Sequence, residues 1–121
     1  MELATAAQLK ILLDNGRASA AVAAHDGNTP DHVPVIKLFT PDANATWLIT
    51  EIDPDNPELA FGLCDLGVGC PEIGSVSISE LSALRGPLGL PVERDLYITL
   101  DQPLSVYADR ARVSGHIVTS F

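Results

Sequence analysis

Short strand-like segments joined by short turns are the feature of this sequence that most limits its fold. Between residues 33 and 76, runs rich in β-branched and aromatic residues alternate with turns rich in Pro, Gly, Asp and Asn. These runs predict four strands, at about 35–39, 46–52, 59–64 and 73–76. A parallel crossover needs a dozen or more residues, and the turns are too short to provide one. The segment therefore predicts an antiparallel meander, which begins with a hairpin.

The N-terminal segment predicts a helix over about 5–15. Thr5 and Gln8 fit a capping box, in which two side chains bond backbone N–H groups that the first turn leaves unpaired. Three leucines follow at i, i+3 and i+4 spacing, which is typical of one apolar helix face. Gly16 is predicted to end the helix as a left-handed cap. The small and polar residues of 18–31 favour a loose loop or a short edge strand.

The second half of the chain predicts two more elements. Ser77 and Glu80 fit another capping box, which indicates a short helix near residues 78–85. The segment 94–100 predicts a fifth strand. The segment 109–121 is consistent either with one more strand or with a loosely docked tail.

These elements predict an α+β fold. We expect a small antiparallel meander sheet of about five strands, packed against an N-terminal helix that covers one face. A chain of 121 residues, 46% of them hydrophobic, has room for one hydrophobic core. We therefore expect a single globular domain over residues 1–121.

The charge of the chain is strongly acidic and unevenly placed. Sixteen Asp and Glu against seven Lys and Arg give a formal net charge of −9. This balance argues against a nucleic-acid binder and against docking on an anionic membrane, since both need a basic face. No Lys or Arg occurs between Lys37 and Arg85. This base-free segment carries eight acids: Asp42, Glu51, Asp53, Asp55, Glu58, Asp65, Glu72 and Glu80.

Three interpretations of these acids compete. Turns and helix starts favour acidic residues, so much of the set has a local explanation. Alternatively, the acids form a surface that recognises a basic partner protein. In the third interpretation, Glu51 and Asp53 share a strand face and bind a divalent cation with Asp65 or Glu72, although no complete ligand motif is present.

Trp47 is a further candidate, either as a core residue or as an aromatic anchor for a partner. It is predicted to share a strand face with Glu51, two pleats away. The candidate partner-binding residues are Asp42, Trp47, Glu51, Asp53, Asp55, Glu58, Asp65 and Glu72.

Signatures of common enzymes do not occur in the chain. It has no nucleophile elbow, P-loop, zinc-protease motif or dinucleotide fingerprint, so no catalytic residue, cofactor or metal is assigned. The two cysteines, Cys64 and Cys70, are too few for a disulfide framework and are expected to be packing residues, with a disulfide or a metal ligand as the alternatives. The N-terminus lacks the pattern of a secretory signal, and we expect a cytoplasmic protein.

Several longer motifs carry a family resemblance over roughly residues 33–100. They are KLFTPD at 37–42, ATWLITE at 45–51, FGL at 61–63, PEIGSVSISEL at 71–81 and LRGPLGLPVERDLY at 84–97. In these motifs the chain resembles a family of short bacterial proteins catalogued as a domain of unknown function. The resemblance implies an accessory protein of a mobile genetic element, such as a plasmid, conjugative element or phage. It implies no activity and no catalytic residues.

These observations lead to a hypothesis with two alternatives. The chain is expected to be an acidic protein-interaction module, possessing a carboxylate-rich surface that mimics DNA and occupies a basic, nucleic-acid-handling host protein. An anti-CRISPR or anti-restriction inhibitor would act in this way. The first alternative is a divalent-metal-dependent hydrolase or nuclease that uses Glu51, Asp53, Asp65 and Glu72. The second is a structural accessory subunit or a homodimer built on an exposed sheet edge.

Overall fold

A computed structural model describes residues 3–23 and 29–120 of the chain. Three helices and five strands follow one another in these residues. In chain order they are α1 (Ala6–Ala23), β1 (Ile36–Phe39), β2 (Thr46–Ile52), β3 (Leu59–Asp65), β4 (Glu72–Ser77), α2 (Ile78–Ala83), β5 (Glu93–Arg94) and α3 (Leu104–Ser114). Within the described residues, no helix combines the length and the apolar character that crossing a bilayer requires.

The strands form one antiparallel sheet in the order β4-β3-β2-β1-β5. The first four strands pair with their neighbours in sequence, as a meander does, whereas β5 returns to pair with β1 at the opposite edge. The predicted α+β fold with its antiparallel meander and N-terminal helix is confirmed. The four predicted meander strands agree with the observed bounds to within about one residue.

The α1 helix covers one face of the sheet and is longer than predicted. Its capping box is present: Thr5 N donates to Gln8 Oε1 at 2.9 Å, and Gln8 N donates to Thr5 Oγ1 at 3.1 Å. The predicted end at Gly16 is wrong, because the helix continues to residue 23. The prediction of a loop or strand from residue 18 is therefore also wrong up to residue 23. Residues 24–28 of that segment lie outside the described residues.

Asn15 and Gly16 join α1 to an irregularity in β2. The register of β2 and β3 shifts between Ile49 and Glu51, which is a β-bulge. Asn15 Nδ2 donates to the Thr50 carbonyl at this bulge, at 2.9 Å. Gly16 is buried, and a Cβ there would lie 1.9 Å from the Ile52 carbonyl oxygen. This residue pair thus docks the helix on the sheet and does not end it.

The second face of the sheet is covered by α3, which the sequence analysis did not predict. Four of its residues are buried, namely Leu104, Tyr107, Ala108 and Ala111. They pack with Leu48 and Leu63 of the sheet in a second core cluster. The predictions of a strand or a loose tail from residue 109 are both wrong as far as Ser114, where α3 ends at the left-handed Gly115.

The fifth strand is much shorter than the predicted 94–100. Only Glu93 and Arg94 pair with β1. Asp95 Oδ1 then accepts hydrogen bonds from the N–H groups of Tyr97 and Ile98, at 2.9 and 3.1 Å. This Asx turn bends the chain away from the sheet edge, so the ladder stops there.

Candidate functional site

Sheet register divides the eight acids of the base-free segment between the two ends of the sheet. Thr46, the first residue of β2, pairs with Asp65, whereas Ile52 at the other end of β2 pairs with Ala60. The seven residues of β2 span about 20 Å, so the two ends are well separated. We call one end the loop end; it carries Asp42, Asp65 and Glu72. The other is the acidic end; it carries Glu51, Asp53, Asp55, Glu58 and Glu80.

Asp65, at the loop end, is committed to the fold. Its side chain is buried, with 3% of the residue exposed. Oδ1 accepts a hydrogen bond from Gly67 N at 2.9 Å, and Oδ2 accepts one from Ile117 N at 3.0 Å. The carboxylate therefore ties the β3–β4 turn to the segment that follows α3. The assignment of Asp65 to a partner-binding surface is not supported by this geometry.

Asp42, also at the loop end, holds a distant loop. Its Oδ2 accepts hydrogen bonds from Leu88 N at 2.7 Å and from Leu90 N at 3.4 Å. Gly86 makes room for this carboxylate, because a Cβ there would lie 1.7 Å from Oδ1. The Asp42 carboxylate thus serves as an internal anchor for the 86–90 segment, and this accounts for Gly86, the first glycine of GPLGLP at 86–91.

Two further candidates differ in their exposure. Trp47 is 3% exposed and packs in the core beneath α1, which fits the core interpretation and not the partner-anchor one. The β2 bulge also changes which residues share a face, since Ile52 and not Glu51 joins Trp47 in that core cluster.

Glu72 is exposed at the start of β4. Burial and the nearby Glu72 carboxylate raise the pKa of the Cys64 thiol, so this cysteine is a poor nucleophile.

The acidic end is built on the β2–β3 turn and on the start of α2. Asp53 Oδ1 accepts hydrogen bonds from Asp55 N at 2.9 Å and Asn56 N at 3.3 Å, which fixes the turn. Glu58 Oε1 accepts from Ser77 Oγ and from Ser79 N, both at 2.6 Å. These bonds lower the pKa of the Glu58 carboxyl, so its charge is retained.

Four carboxylates of the acidic end lie on exposed residues. They belong to Asp53, Asp55, Glu58 and Glu80. Four ion pairs use carboxylates outside the base-free segment, namely Lys10–Asp14, Arg17–Asp14, Lys37–Asp95 and Arg112–Asp109. Charge at the acidic end is thus accessible from solvent.

Glu51 is half-buried and belongs to a small hydrogen-bonded chain that the sequence analysis missed. The Ser19 hydroxyl donates to Glu51 Oε1 at 3.1 Å and lies 3.1 Å from His32 Nε2. These two contacts join Ser19 of α1 to Glu51 of β2 and to His32 of the segment before β1, so they help to hold α1 on the sheet. No sequence motif joins these three residues.

The proposed cation ligands do not come together. Glu51 and Asp53 lie at the acidic end, and Asp65 and Glu72 lie at the loop end. The two pairs are separated by the length of β2, about 20 Å. This separation is far larger than one coordination sphere, whose ligand distances are about 2–2.6 Å. In the described part of the chain, no group of three or more His, Cys, Asp or Glu side chains is placed to hold a metal ion.

Comparisons with known proteins give the family and no activity. Neither the curated proteins nor the solved structures contain a significant match to this chain. One family model, described as a protein of unknown function (DUF2958), matches residues 3–118. This match includes both helices that cover the sheet and the loop held by Asp42, and the chain therefore belongs to the DUF2958 family of proteins of unknown function.

Proposed function

We propose that this protein is an interaction module that binds a basic surface of a partner protein through its acidic end. The observation that carries the proposal is the set of exposed carboxylates on the β2–β3 turn and the start of α2. Concentrated like charge destabilises a folded chain unless something offsets it. A partner with Lys and Arg side chains would offset it on binding.

The partner class that we propose is a nucleic-acid-handling host protein, such as a CRISPR or restriction effector. A protein groove that binds B-DNA faces one negative charge per about 1.7 Å of helix axis. A rigid array of carboxylates is able to occupy such a groove. The mobile-element setting implied by the sequence resemblance supports this choice, because such elements must evade host defence.

Two paired variants test the acidic end. Asp55→Asn with Glu80→Gln removes two charges there, from carboxylates on exposed residues. Glu93→Gln with Asp101→Asn removes two charges outside the base-free segment, away from β4, and is the control. The partner is captured from host lysate at low salt, eluted with NaCl and purified, and its affinity for each variant is then measured.

We expect the acidic-end variant to bind about threefold to tenfold more weakly than the control, because an exposed charge pair contributes about 0.2–1 kcal/mol. Binding of the unmodified protein should also weaken steeply as NaCl rises. Affinity that is equal in the two variants, or independent of salt, would contradict the proposal.

A further inference from the structure

Among residues 3–23 and 29–120, no strand pairs with the outer edge of the sheet at β4. β4 is the last strand in the order β4-β3-β2-β1-β5. Ile78 N donates to the Glu58 carbonyl at 2.8 Å, and the pairing of β3 with β4 continues in the same register from Leu59 and Ser77. In an antiparallel ladder, bonded and non-bonded pairs alternate. Gly74 and Val76 therefore point their backbone groups at β3, and Ile73 and Ser75 point theirs outward.

The side chains along this edge favour a cationic guest. Ile73 and Ser75 are exposed, with 44% of Ile73 accessible to solvent. Glu72 lies at one end of the strand, and Glu58 and Glu80 lie beyond the other. Between Lys37 and Arg85 there is no Lys or Arg, so β2, β3 and β4 contain no base.

In the described part of the chain, a base of the neighbouring helix α3 also lies near this edge. Arg112 of α3 lines a small cavity with Glu72 and Ile73. Its guanidinium is paired with Asp109 at 2.6 Å, so its charge is offset within α3. The edge as a whole keeps its acidic character.

We propose that the β4 edge binds an extended segment of the partner as an additional strand, with Lys or Arg side chains of that segment facing Glu72 and the acidic end. This inference rests on the proposed function and specifies how the partner is held. Outward N–H and C=O groups provide affinity in such strand addition, and flanking charges provide selectivity. Six residues of β4 span about 17 Å, which matches a guest with basic residues near both ends of a similar stretch.

A second copy of this chain fits the edge less well than a basic segment does. Each copy carries a net charge of −9, and edge-to-edge pairing would bring the acidic residues of both β4 strands together. Like charges placed opposite one another across strands destabilise their pairing.

Amide hydrogen exchange tests the edge directly. The probe is a capped peptide of about eight residues that alternates lysine with valine, and the control probe has glutamate in place of lysine. In the free protein, the amides of Ile73 and Ser75 should exchange fast, while those of Gly74 and Val76 are protected by β3. The lysine peptide should slow the Ile73 and Ser75 amides by about tenfold or more at saturation. Unchanged exchange at both amides would overturn the proposal.

A proline substitution separates this inference from the proposed function. Ser75→Pro removes an outward N–H and leaves the bonds to β3 in place, which edge strands tolerate. Ser75→Ala keeps the N–H and is the control. We expect Ser75→Pro to weaken binding of the purified partner about tenfold or more and Ser75→Ala to leave it unchanged, with the two variants showing the same circular dichroism.

Three outcomes are decisive. Partner binding that survives Ser75→Pro but falls in Asp55→Asn with Glu80→Gln overturns the edge proposal and leaves the proposed function standing. Binding unaffected by either change overturns both. A dimer in the unmodified protein that Ser75→Pro converts to a monomer, measured by sedimentation, assigns the edge to a second copy and overturns the basic guest.

Discussion

Asp65 carries a carboxylate in a place that excludes solvent. A buried charge is tolerated only when hydrogen bonds replace the water that it has lost, and Asp65 accepts two from backbone N–H groups. One donor lies in the β3–β4 turn and the other follows α3, 52 residues away along the chain. Asp65 therefore stabilises the fold, a role that its position in an acidic segment does not indicate.

Replacement of Asp65 by Asn should destabilise the fold. The amide group keeps one acceptor oxygen but places N–H donors against a second N–H donor, from either Gly67 or Ile117. We expect the free energy of unfolding to fall by about 1–3 kcal/mol in urea titrations. The exposed control Asp101→Asn should change it by less than about 0.5 kcal/mol. Equal stability of the two variants would show that the buried bonds contribute little.

At the scale of single elements, α1 shows how packing overrides a local signal. Asn-Gly commonly ends a helix, and that rule predicted an end at Gly16. Here the absence of a side chain at Gly16 allows the helix backbone to approach the Ile52 carbonyl of β2. The alanine-rich residues after it then continue the helix, in keeping with their high helix propensity.

Gly16→Ala should reverse the usual effect of this substitution. Within an exposed helix, Gly to Ala stabilises by about 1 kcal/mol. At this position the new Cβ would lie 1.9 Å from the Ile52 oxygen, so α1 must move away from β2. We expect a loss of about 2 kcal/mol or more by urea unfolding. The matched control Ala18→Gly, on the exposed side of α1, should lose only about 1 kcal/mol. A gain in stability for Gly16→Ala would contradict the close approach.

Elements with local signals were predictable, and elements set by distant contacts were not. The meander follows from strand runs and turns in the sequence. The helix starts of α1 and α2 follow from their capping pairs. β5 stops after Arg94 because the Asx turn at Asp95 outweighs the strand propensity of the residues that follow. The sequence does carry a local signal for α3. Its buried residues recur at i, i+3, i+4 and i+7 from Leu104, and Gly115 follows as its cap.

For the whole molecule, the acids of the base-free segment form two separate groups, one at the loop end and one at the acidic end. The sequence correctly located the acids in one base-free segment, but only the register of β2 with β3 separates them into two ends. The roles of Asp42, Trp47 and Asp65 depend on contacts with residues far along the chain, so residue type alone could not distinguish them from surface candidates. Exposed Asp53 and Asp55 could be predicted, because tight turns lie at the surface.

Salt should stabilise the molecule by screening its acidic end. The Debye length falls from about 30 Å at 0.01 M to about 8 Å at 0.15 M, which weakens repulsion between exposed carboxylates. We expect the thermal midpoint to rise over this range of NaCl, as measured by calorimetry. Asp55→Asn with Glu80→Gln should raise the midpoint at low salt and reduce its dependence on NaCl. The control Glu93→Gln with Asp101→Asn should show a smaller change. Identical salt profiles for the two double variants would contradict a concentrated charge at this end.

The covering of the second sheet face by α3 also has a consequence for synthesis. All four meander strands leave the ribosome before α3, which begins at Leu104. Leu48 and Leu63 pack against α3 residues in one core cluster, so the nascent sheet presents an apolar face until α3 is made. A growing chain of this protein is therefore especially prone to aggregation and to chaperone binding just before α3 emerges.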